Sequence, residues 1–372
     1  MEKTKQRYAL LDGLRGVAAL MVIWYHVFEG FATSPETQWM NHGHLAVDFF
    51  FGLSGFVIGY AYDERMHNGL TAGKFMLRRI IRLQPMVIIG AVLGLISYCL
   101  QGCVHWDGTH VATSAVMLSF LLALFVIPVA PNTSVDVRGN GEMYPLNGPC
   151  WSLFFEYIAS IFYAIILNKL STRVLRIIVA VLGVTLSCAV IGNISGSYHL
   201  GVGWTMADNG LIGGLLRVMF SFSMGMLLSR NFKPMRVRGA FWLCSALLIA
   251  LLCVPYIGAN VMPQLNAVYD VVCVIMILPV IIYIAASGTT TDATSARICD
   301  FCGKISYPVY IIHYPIMYYF YAWIWGNNLA FSEVWPIAVA IFVGAIFLAY
   351  LFMRYYEIPI RRYLTKKLNN KL

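Results

Sequence analysis

The sequence predicts an all-α polytopic membrane helix bundle, with about ten transmembrane helices and one further re-entrant or tilted segment. Hydrophobic residues make up 59% of the 372 residues and charged residues only 12%, which is about half the charge of an ordinary soluble domain. Apolar runs long enough to cross a bilayer recur along the chain. The basic residues, which give a net charge of +9, cluster in short segments between those runs.

Eleven apolar segments are candidates for spanning helices, since each supplies about 20 mostly apolar residues. They lie near residues 9–31, 44–62, 85–101, 112–130, 150–168, 174–192, 210–229, 239–257, 266–286, 305–325 and 335–356. We expect them to form a single domain over residues 1–372, without a soluble catalytic domain, so that any chemistry takes place in the membrane body. The first segment has no cleavage site and is interpreted as a span.

The loop charges predict how the spans are oriented. Three basic residues within positions 1–7 place the amino terminus in the cytoplasm, and the basic carboxyl-terminal tail lies there too. The alternation fails if segments 112–130 and 150–168 both cross, and it holds throughout if 112–130 does not. We therefore predict ten crossings, two cytoplasmic termini and an outward-facing cavity wall in residues 131–149. Because the charge pattern is explained by the cell membrane, nucleic acid is not an expected partner.

The first span carries Asp12, Arg15 and His26, although ionisable groups inside a membrane are costly and usually functional. Arg15 and His26 are eleven residues apart, which places them on one helix face about 16 Å apart along the axis. Asp12 lies one turn before Arg15 and can pair with it. The stripe suits a long, thin donor, with His26 as general base on an acceptor hydroxyl. From this span alone, a packed, hydrogen-bonded histidine is an equally good interpretation.

Three arginines, Arg78, Arg79 and Arg82, follow one another in GKFMLRRIIRLQP. Arg78 and Arg82 share a helix face, and guanidinium groups match phosphate oxygens, so the group can hold the phosphates of a coenzyme A donor. Binding of an interfacial helix to anionic lipid explains these charges equally well.

Further polar residues lie inside later spans. Glu156, in NGPCWSLFFEY, is expected at a depth similar to that of His26, where its carboxylate can orient the imidazole. The alternative is that Glu156 pairs with another intramembrane cation such as Arg217, which itself needs a partner. His313 lies near the middle of its span and is either functional or a packed, hydrogen-bonded histidine.

Cysteine usage argues against a metal centre. Nine cysteines are present, and the only close pair is Cys299 and Cys302. A metal or redox site would need a second pair or a nearby histidine, so the sequence predicts no metal site.

The order of these motifs resembles the acyltransferase-3 family of integral membrane acyltransferases. The matching motifs, in chain order, are DGLRGVAALMVIWYH (12–26), DFFFGLSGFVIGY (48–60), RRIIRLQP (78–85), WSLFFEY (151–157), SYPVYIIHYP (306–315) and YYEIPIRR (355–362). Met76 stands where the family usually has an aromatic residue before the first arginine, and a small change in packing is expected there. The likeness spans nearly the whole chain, in the stand-alone form without a fused hydrolase-like domain.

The resemblance implies transfer of an acyl group, most often acetyl, from cytoplasmic acyl-CoA to a hydroxyl of a carbohydrate outside the cytoplasm. Acyl-CoA is then a co-substrate, and no tightly bound cofactor is expected. The predicted catalytic residues are His26, Arg15 and Glu156. The predicted donor-binding residues are Arg78, Arg79 and Arg82. Other polar or aromatic residues of the spans are expected to support the site: Asp12, Ser54, Trp151, Arg217 and His313.

Two other functions fit the same residues. The first keeps the chemistry and changes the acceptor to a small molecule or a lipid, with loops 32–43, 131–149 and 193–209 choosing it. The second is a secondary transporter that uses the buried charges as a gated path, although the paired halves of many transporters are not visible. Acceptor-dependent release of free coenzyme A distinguishes the enzyme from the transporter.

Overall fold

The computed structural model describes residues 8–290 and 292–369, and all regular elements in these ranges are helical. The α-helices are α1 (Ala9–Glu29), α2 (Ala46–His67), α3 (Ala72–Leu100), α4 (Thr113–Leu124), α5 (Cys150–Ile165), α6 (Thr172–Ile191), α7 (Gly210–Arg230), α8 (Ala240–Leu252), α9 (Gln264–Val272), α10 (Leu278–Ser287), α11 (Ala293–Gly326), α12 (Phe331–Phe352) and α13 (Ile358–Asn369). Short 3₁₀ turns lie at Pro35–Thr37, Asn41–Leu45 and Leu167–Lys169, and π-helical turns at Cys273–Ile277 and Met353–Glu357. The prediction of an all-α fold is confirmed.

Several helices begin where the sequence supplies a capping side chain. The side-chain oxygens of Thr71, Ser171 and Asp292 each accept a hydrogen bond from a backbone N–H in the first turn of α3, α6 and α11. Such contacts satisfy N–H groups that have no partner within the helix. They define the starts of α3, which carries the arginine motif, and of α11, which carries most of the tyrosines near His26.

Eight segments of the described chain are long and apolar enough to cross a membrane. They are Ala9–Glu29, Asn41–His67, Ala72–Leu100, Cys150–Lys169, Thr172–Ile191, Gly210–Arg230, Gln264–Ser287 and Phe331–Leu368. By contrast, α4 has 12 residues and a length of about 18 Å, whereas the hydrocarbon core of a bilayer is about 30 Å thick. Its length agrees with the prediction that segment 112–130 does not cross.

The sequence predicts ten crossings, two more than these eight segments, because predicted segments 239–257 and 305–325 lie on helices that are not among the eight. Segment 239–257 contains α8, which has only 13 residues. Segment 305–325 lies within α11, a helix of 34 residues. The buried residues of α11 include His313 and several tyrosines, which lower the mean hydropathy of the helix. α11 packs along α1 and α3, so these polar groups meet protein instead of lipid. Length and composition alone therefore support eight crossings.

The arginine motif lies on a spanning helix. α2 ends at His67 and α3 begins at Ala72, so a short turn joins them. Most of residues 63–84 is therefore helical and continuous with two spans. Arg78 and Arg82 lie within the first three turns of α3, where their side chains can reach into the bundle.

The centre of the bundle is formed by α1 against α11 and by α2 against α7. Glycines allow the backbones to approach closely at both contacts. A Cβ atom at Gly16 would lie 2.2 Å from the Cys302 carbonyl oxygen, and one at Gly55 would lie 1.9 Å from that of Phe222. The outer helices α6 and α12 instead expose apolar side chains such as Val184, as expected of surfaces that face lipid.

Candidate active site

A cavity of about 590 Å³ lies at the end of α1 that carries His26. Loops 32–43, 131–149 and 193–209 supply much of its wall, together with α1, α7 and α11. Charged and titratable residues of its lining include His26, Glu29, His44, Glu142, His199 and Arg217, and we name it the large cavity. The prediction that residues 131–149 form a cavity wall is confirmed, and the three loops expected to choose the acceptor meet at one cavity.

His26 lies on the wall of the large cavity and is held by a carboxylate of its own helix. Its Nδ1 atom lies 2.7 Å from Oε2 of Glu29, one turn further along α1. The Tyr321 hydroxyl, which donates a hydrogen bond to the His26 carbonyl oxygen, lies 3.1 Å from the same Glu29 oxygen, and the Tyr314 hydroxyl lies 3.5 Å from it. A carboxylate oxygen is a hydrogen-bond acceptor, so Nδ1–H of His26 donates to Glu29. His26 then presents the lone pair of Nε2 to the cavity.

Two rings of α11 fix the plane of the His26 imidazole. The His313 ring is stacked on it, with 5.4 Å between centroids and 29° between planes, and the Tyr314 ring packs edge-on at 4.6 Å. His313 is fully buried and its Nδ1 lies 3.0 Å from the Val309 carbonyl oxygen. His313 is thus the packed, hydrogen-bonded histidine of the alternative interpretation, and it is in contact with His26.

The other histidines of the large cavity have their ring nitrogens engaged differently. His44 faces two acceptors: Nδ1 lies 2.9 Å from the carbonyl oxygen three residues earlier, and Nε2 lies 3.1 Å from Oδ2 of Asp270. Nδ1 of His199 accepts a hydrogen bond from the Gly201 N–H at 2.7 Å, which leaves the ring proton on Nε2. Burial lowers the pKa of His199 to about 4. Among the described histidines of this cavity, only His26 combines a carboxylate on one nitrogen with a second nitrogen free to accept a proton.

Arg217 lies at the base of the large cavity as half of a buried ion pair. Its Nη2 lies 2.6 Å from Oδ2 of Asp48, and its Nε lies 3.2 Å from Oδ1. Two further hydrogen bonds reach backbone carbonyl oxygens of the adjoining loops, and the Trp151 ring covers the guanidinium at 5.1 Å. The partner that Arg217 needs is therefore Asp48 and not Glu156. The pair ties α2 to α7 and to the wall of the cavity.

Glu142 and Tyr318 form a polar pair on the wall supplied by residues 131–149. The Tyr318 hydroxyl donates a hydrogen bond to Glu142, and the Asn140 amide donates one at 3.0 Å. The Arg138 guanidinium lies 3.5 Å from the centroid of the Tyr318 ring. Burial raises the pKa of Glu142, against the opposing effects of Tyr318 and Arg138. The large cavity thus combines carboxylates, hydroxyls and aromatic faces, a set that suits a hydroxyl-rich ligand.

A second cavity of about 70 Å³ lies among α1, α2, α3, α5 and α11. The polar residues that line it include Arg15, Ser54, Arg82, Ser152, Glu156 and Tyr310, and we name it the small cavity. Arg15 lines this cavity whereas His26 lines the large one, as expected of two positions far apart on one helix face. The predicted pair of Arg15 and Asp12 is confirmed, with Nη1 3.2 Å from Oδ1.

Glu156 lines the small cavity, and its carboxylate is engaged by two other residues. Its Oε1 accepts a hydrogen bond from Oγ of Ser54 at 2.7 Å and another from the Arg79 guanidinium. The expectation that Glu156 orients His26 is corrected here, because Glu29 occupies that position. An unpaired carboxylate inside a membrane is costly, and α3 brings the Arg79 cation to this one. The alternative of pairing with an intramembrane cation is confirmed, with Arg79 as the cation.

The three arginines of α3 have different surroundings. Arg79 is 5% exposed and is paired with Glu156. Arg82 lines the small cavity, whereas Arg78 is half-buried and is part of neither cavity wall. Successive side chains of a helix diverge by about 100°, so Arg78 and Arg79 point apart, whereas Arg82 lies about one turn after both of them. The structure does not gather the three guanidinium groups at one cavity.

Two features of the site were missed by sequence reasoning although the sequence carries a signal for each. Glu29 lies three residues after His26, a spacing that places both on one face of a helix. Four tyrosines recur every three or four residues on α11, and all of them line the large cavity: Tyr310, Tyr314, Tyr318 and Tyr321. Such a spacing marks one helix face, and here it marks the face turned to His26.

Comparisons with known proteins agree with these landmarks. The family model of the acyltransferase-3 type, described as an acyltransferase domain, matches residues 8–354. Protein 2 in picA locus of Rhizobium radiobacter is 36% identical over 166 residues, 43% of this chain and 82% of that protein. A Komagataeibacter xylinus protein, provisionally named membrane-bound transacylase BcsY, is 25% identical over 321 residues, 84% of this chain and 73% of that protein.

A third relative is much longer than the region of similarity. A Staphylococcus aureus (strain COL) protein, provisionally named an O-acetyltransferase, is 40% identical over 88 residues, 23% of this chain. The match spans only 13% of the length of that protein. No solved structure matches the chain.

Proposed function

The chain belongs to the acyltransferase-3 family, and we propose that it moves an acyl group, acetyl in the first instance, from cytoplasmic acyl-CoA to a carbohydrate hydroxyl outside the cytoplasm. Acyl transfer in a membrane agrees with the family and with the names of the relatives. The observation that carries the finer assignment is the pair of His26 and Glu29, 2.7 Å apart, on the wall of a large polar and aromatic cavity.

In the proposed reaction, His26 is the general base. Its Nε2 takes the proton of the acceptor hydroxyl while the hydroxyl oxygen attacks the carbonyl carbon of the thioester. The C–S bond then breaks, and the imidazolium returns the proton to the leaving thiolate, so the products are the ester and free coenzyme A. Glu29 accepts the hydrogen bond from Nδ1–H and stabilises the imidazolium that forms.

Arg15 and Arg82 support a donor that approaches through the small cavity. Guanidinium groups bind phosphate oxygens in a forked geometry, and the phosphate-rich head of coenzyme A needs such partners. Arg15 and His26 lie about 16 Å apart along α1, a distance that an extended pantetheine arm can bridge. Arg78 is a further candidate for phosphate contact outside the cavity. Arg79 acts through its ion pair with Glu156, which holds α3 against α5.

The large cavity supports a carbohydrate acceptor. Carboxylates, tyrosine hydroxyls and the Nε2–H of His199 can exchange hydrogen bonds with hydroxyl groups, and aromatic faces such as that of Trp151 can cover the apolar faces of a sugar ring. A relative named as an O-acetyltransferase supports both the acetyl group and the oxygen acceptor. Because three loops build this cavity, changes in those loops would change the acceptor without changing the chemistry.

Mass spectrometry of cell-surface glycans, with and without the protein, tests the acceptor and the acyl group together. We expect acetylated sugars that disappear when His26→Ala replaces the wild-type protein at equal abundance in the membrane. Unchanged glycans would contradict the carbohydrate assignment.

The donor and the direction of transfer are tested in proteoliposomes, with acetyl-CoA on one side and the saccharide on the other. Acceptor-dependent release of free coenzyme A is expected. Accumulation of the saccharide without that release would indicate a transporter instead.

A further inference from the structure

We propose that Tyr310 is a positioning residue that closes the passage between the two cavities and must move before the acyl group can reach His26. The inference rests on the proposed function, in which the donor enters through the small cavity and the acceptor through the large one. Within the described part of the chain, Tyr310 is the one residue that lines both cavities. The two spaces therefore adjoin at this residue.

The Tyr310 hydroxyl is held by a short hydrogen-bond network. It lies 2.7 Å from Oγ of Ser152 and 3.3 Å from the Pro149 carbonyl oxygen. The Ser152 hydroxyl donates a hydrogen bond to the same carbonyl at 3.0 Å, so the tyrosine proton is directed to these two oxygens. The ring packs edge-on against Phe50, with centroids 5.4 Å apart. These contacts hold the ring across the passage.

The stretch of α11 that carries Tyr310 has a weakened backbone. Pro308 and Pro315 lie on either side of it, and a proline inside a helix removes one backbone hydrogen bond. The Ile311 carbonyl, which Pro315 leaves without its helical donor, accepts a hydrogen bond from the Asn147 side chain at 2.9 Å instead. Helices bend at such positions. A bend here displaces the Tyr310 ring while α11 stays packed on α1.

The volumes of the two cavities agree with a closed passage. The small cavity, at about 70 Å³, has room for a few water molecules, far less than a pantetheine arm occupies. The large cavity, at about 590 Å³, is open to water. Closure by Tyr310 keeps that water away from the thioester until the ring moves. Tyr310 therefore sets the ratio of transfer to hydrolysis, in which water attacks the thioester and yields a carboxylic acid and free coenzyme A.

Thiol accessibility tests the barrier directly. Ser306→Cys introduces a thiol into the small cavity, one turn before Tyr310 on α11, and Thr33→Cys introduces a control thiol into the large cavity. Each full-length variant is reconstituted in proteoliposomes and treated with a membrane-impermeant methanethiosulfonate from the side of the large cavity. Peptide mass spectrometry then reports the reaction at each position separately from the nine native cysteines.

We expect the thiol at position 306 to be protected from the methanethiosulfonate when Tyr310 is unchanged. Tyr310→Ala should speed its modification at least ten-fold, and Tyr310→Phe should have a smaller effect because it keeps the ring and removes only the hydroxyl. The thiol at position 33 should react at the same rate in all three backgrounds. Protection at position 306 that persists in Tyr310→Ala, or that is missing in the Tyr310 background, would overturn the inference.

The labelling requires no acyl donor, so failure of this inference and failure of the proposed function are distinguishable. If the thiol at position 306 is protected by Tyr310 but the protein shows no acyl transfer, the inference about Tyr310 stands and the proposed function is rejected. In protein that is active in transfer, Tyr310→Ala should also raise acetyl-CoA hydrolysis relative to transfer. An unchanged ratio of hydrolysis to transfer would contradict the positioning role, since a merely structural defect lowers both rates together.

Discussion

The large and small cavities lie along the same pair of helices, α1 and α11, and they differ in the charges they leave available. In the large cavity the arginine is engaged, since Arg217 is bound to Asp48, whereas Glu29 and Glu142 face the space. Its ligand therefore meets carboxylates, hydroxyls and aromatic rings. That surface suits a hydroxyl-bearing ligand and disfavours an anionic one.

The small cavity has the opposite arrangement. Its carboxylate, Glu156, is bound to Arg79, and Arg15 is bound to Asp12 of its own helix, whereas the Arg82 guanidinium lines the space beside them. Burying an unpaired charge is costly, so the ion pairs within each wall remove one sign of charge and leave the other for a ligand. The comparison teaches that the pairing of charged residues within the wall, more than their number, separates a cavity that suits an anionic ligand from one that suits a hydroxyl-bearing ligand.

Loss of His26 should have the largest effect on activity. His26→Ala removes the proposed base, and general-base catalysis contributes about 10²–10⁴-fold, so kcat for acceptor-dependent coenzyme A release should fall by about 10³-fold. His67→Ala is the matched control, because His67 is exposed and its Nδ1 contacts only the Asp63 carbonyl among the described residues. Full activity of His26→Ala would reject the large cavity as the place of proton transfer.

The next effect separates the two carboxylates that could serve His26. Glu29→Gln should lower kcat by about 10²-fold, because the imidazolium loses the carboxylate that lies 2.7 Å from Nδ1. Glu156→Gln should lower kcat less, since the Glu156 carboxylate is bound to Arg79 in the small cavity. An equal loss of kcat in both variants, measured in the same proteoliposome assay, would mean that Glu156 acts on His26 after all.

The arginines of α3 should differ in their effect on the donor. A hydrogen bond to a charged group contributes about 1.5–3 kcal/mol, so Arg82→Ala should raise the KM for acetyl-CoA by about ten-fold or more. Arg78→Ala should have a smaller effect, since Arg78 lies outside the small cavity. Steady-state kinetics at varied acetyl-CoA gives both values. A larger effect from Arg78 would move the phosphate site out of the small cavity.

The smallest effect concerns stability at the wall of the large cavity. Burial lowers the pKa of His199 to about 4 from its ordinary value of 6.5. Between these values the unfolded chain binds a proton that the folded chain does not, so the free energy of unfolding falls as pH drops from 6.5 towards 4. His199→Gln should therefore reduce the difference in Tm between pH 7 and pH 5 by a few degrees. A difference as large as that of the parent would show that His199 does not titrate in this window.

Helix spacing explains which parts of the site were predictable. The pair of Asp12 and Arg15 depends only on 3.6 residues per turn, and the structure has it. The position of Glu29 follows the same rule and was available from the sequence. The identity of the partner of Glu156 was not, since it depends on which helix crosses α5 at that depth.

Membrane residence, the all-α fold, the order of the family motifs and the place of His26 at one end of α1 were determined by the sequence itself. Composition and helical periodicity are local quantities, and lipid leaves a hydrogen-bonded helix as the favoured form of such a chain. The tertiary structure decided which charges meet. Arg217 joins Asp48 across 169 positions, and Arg79 joins Glu156 across 77. Contacts over such separations depend on how helices cross, which no local pattern encodes.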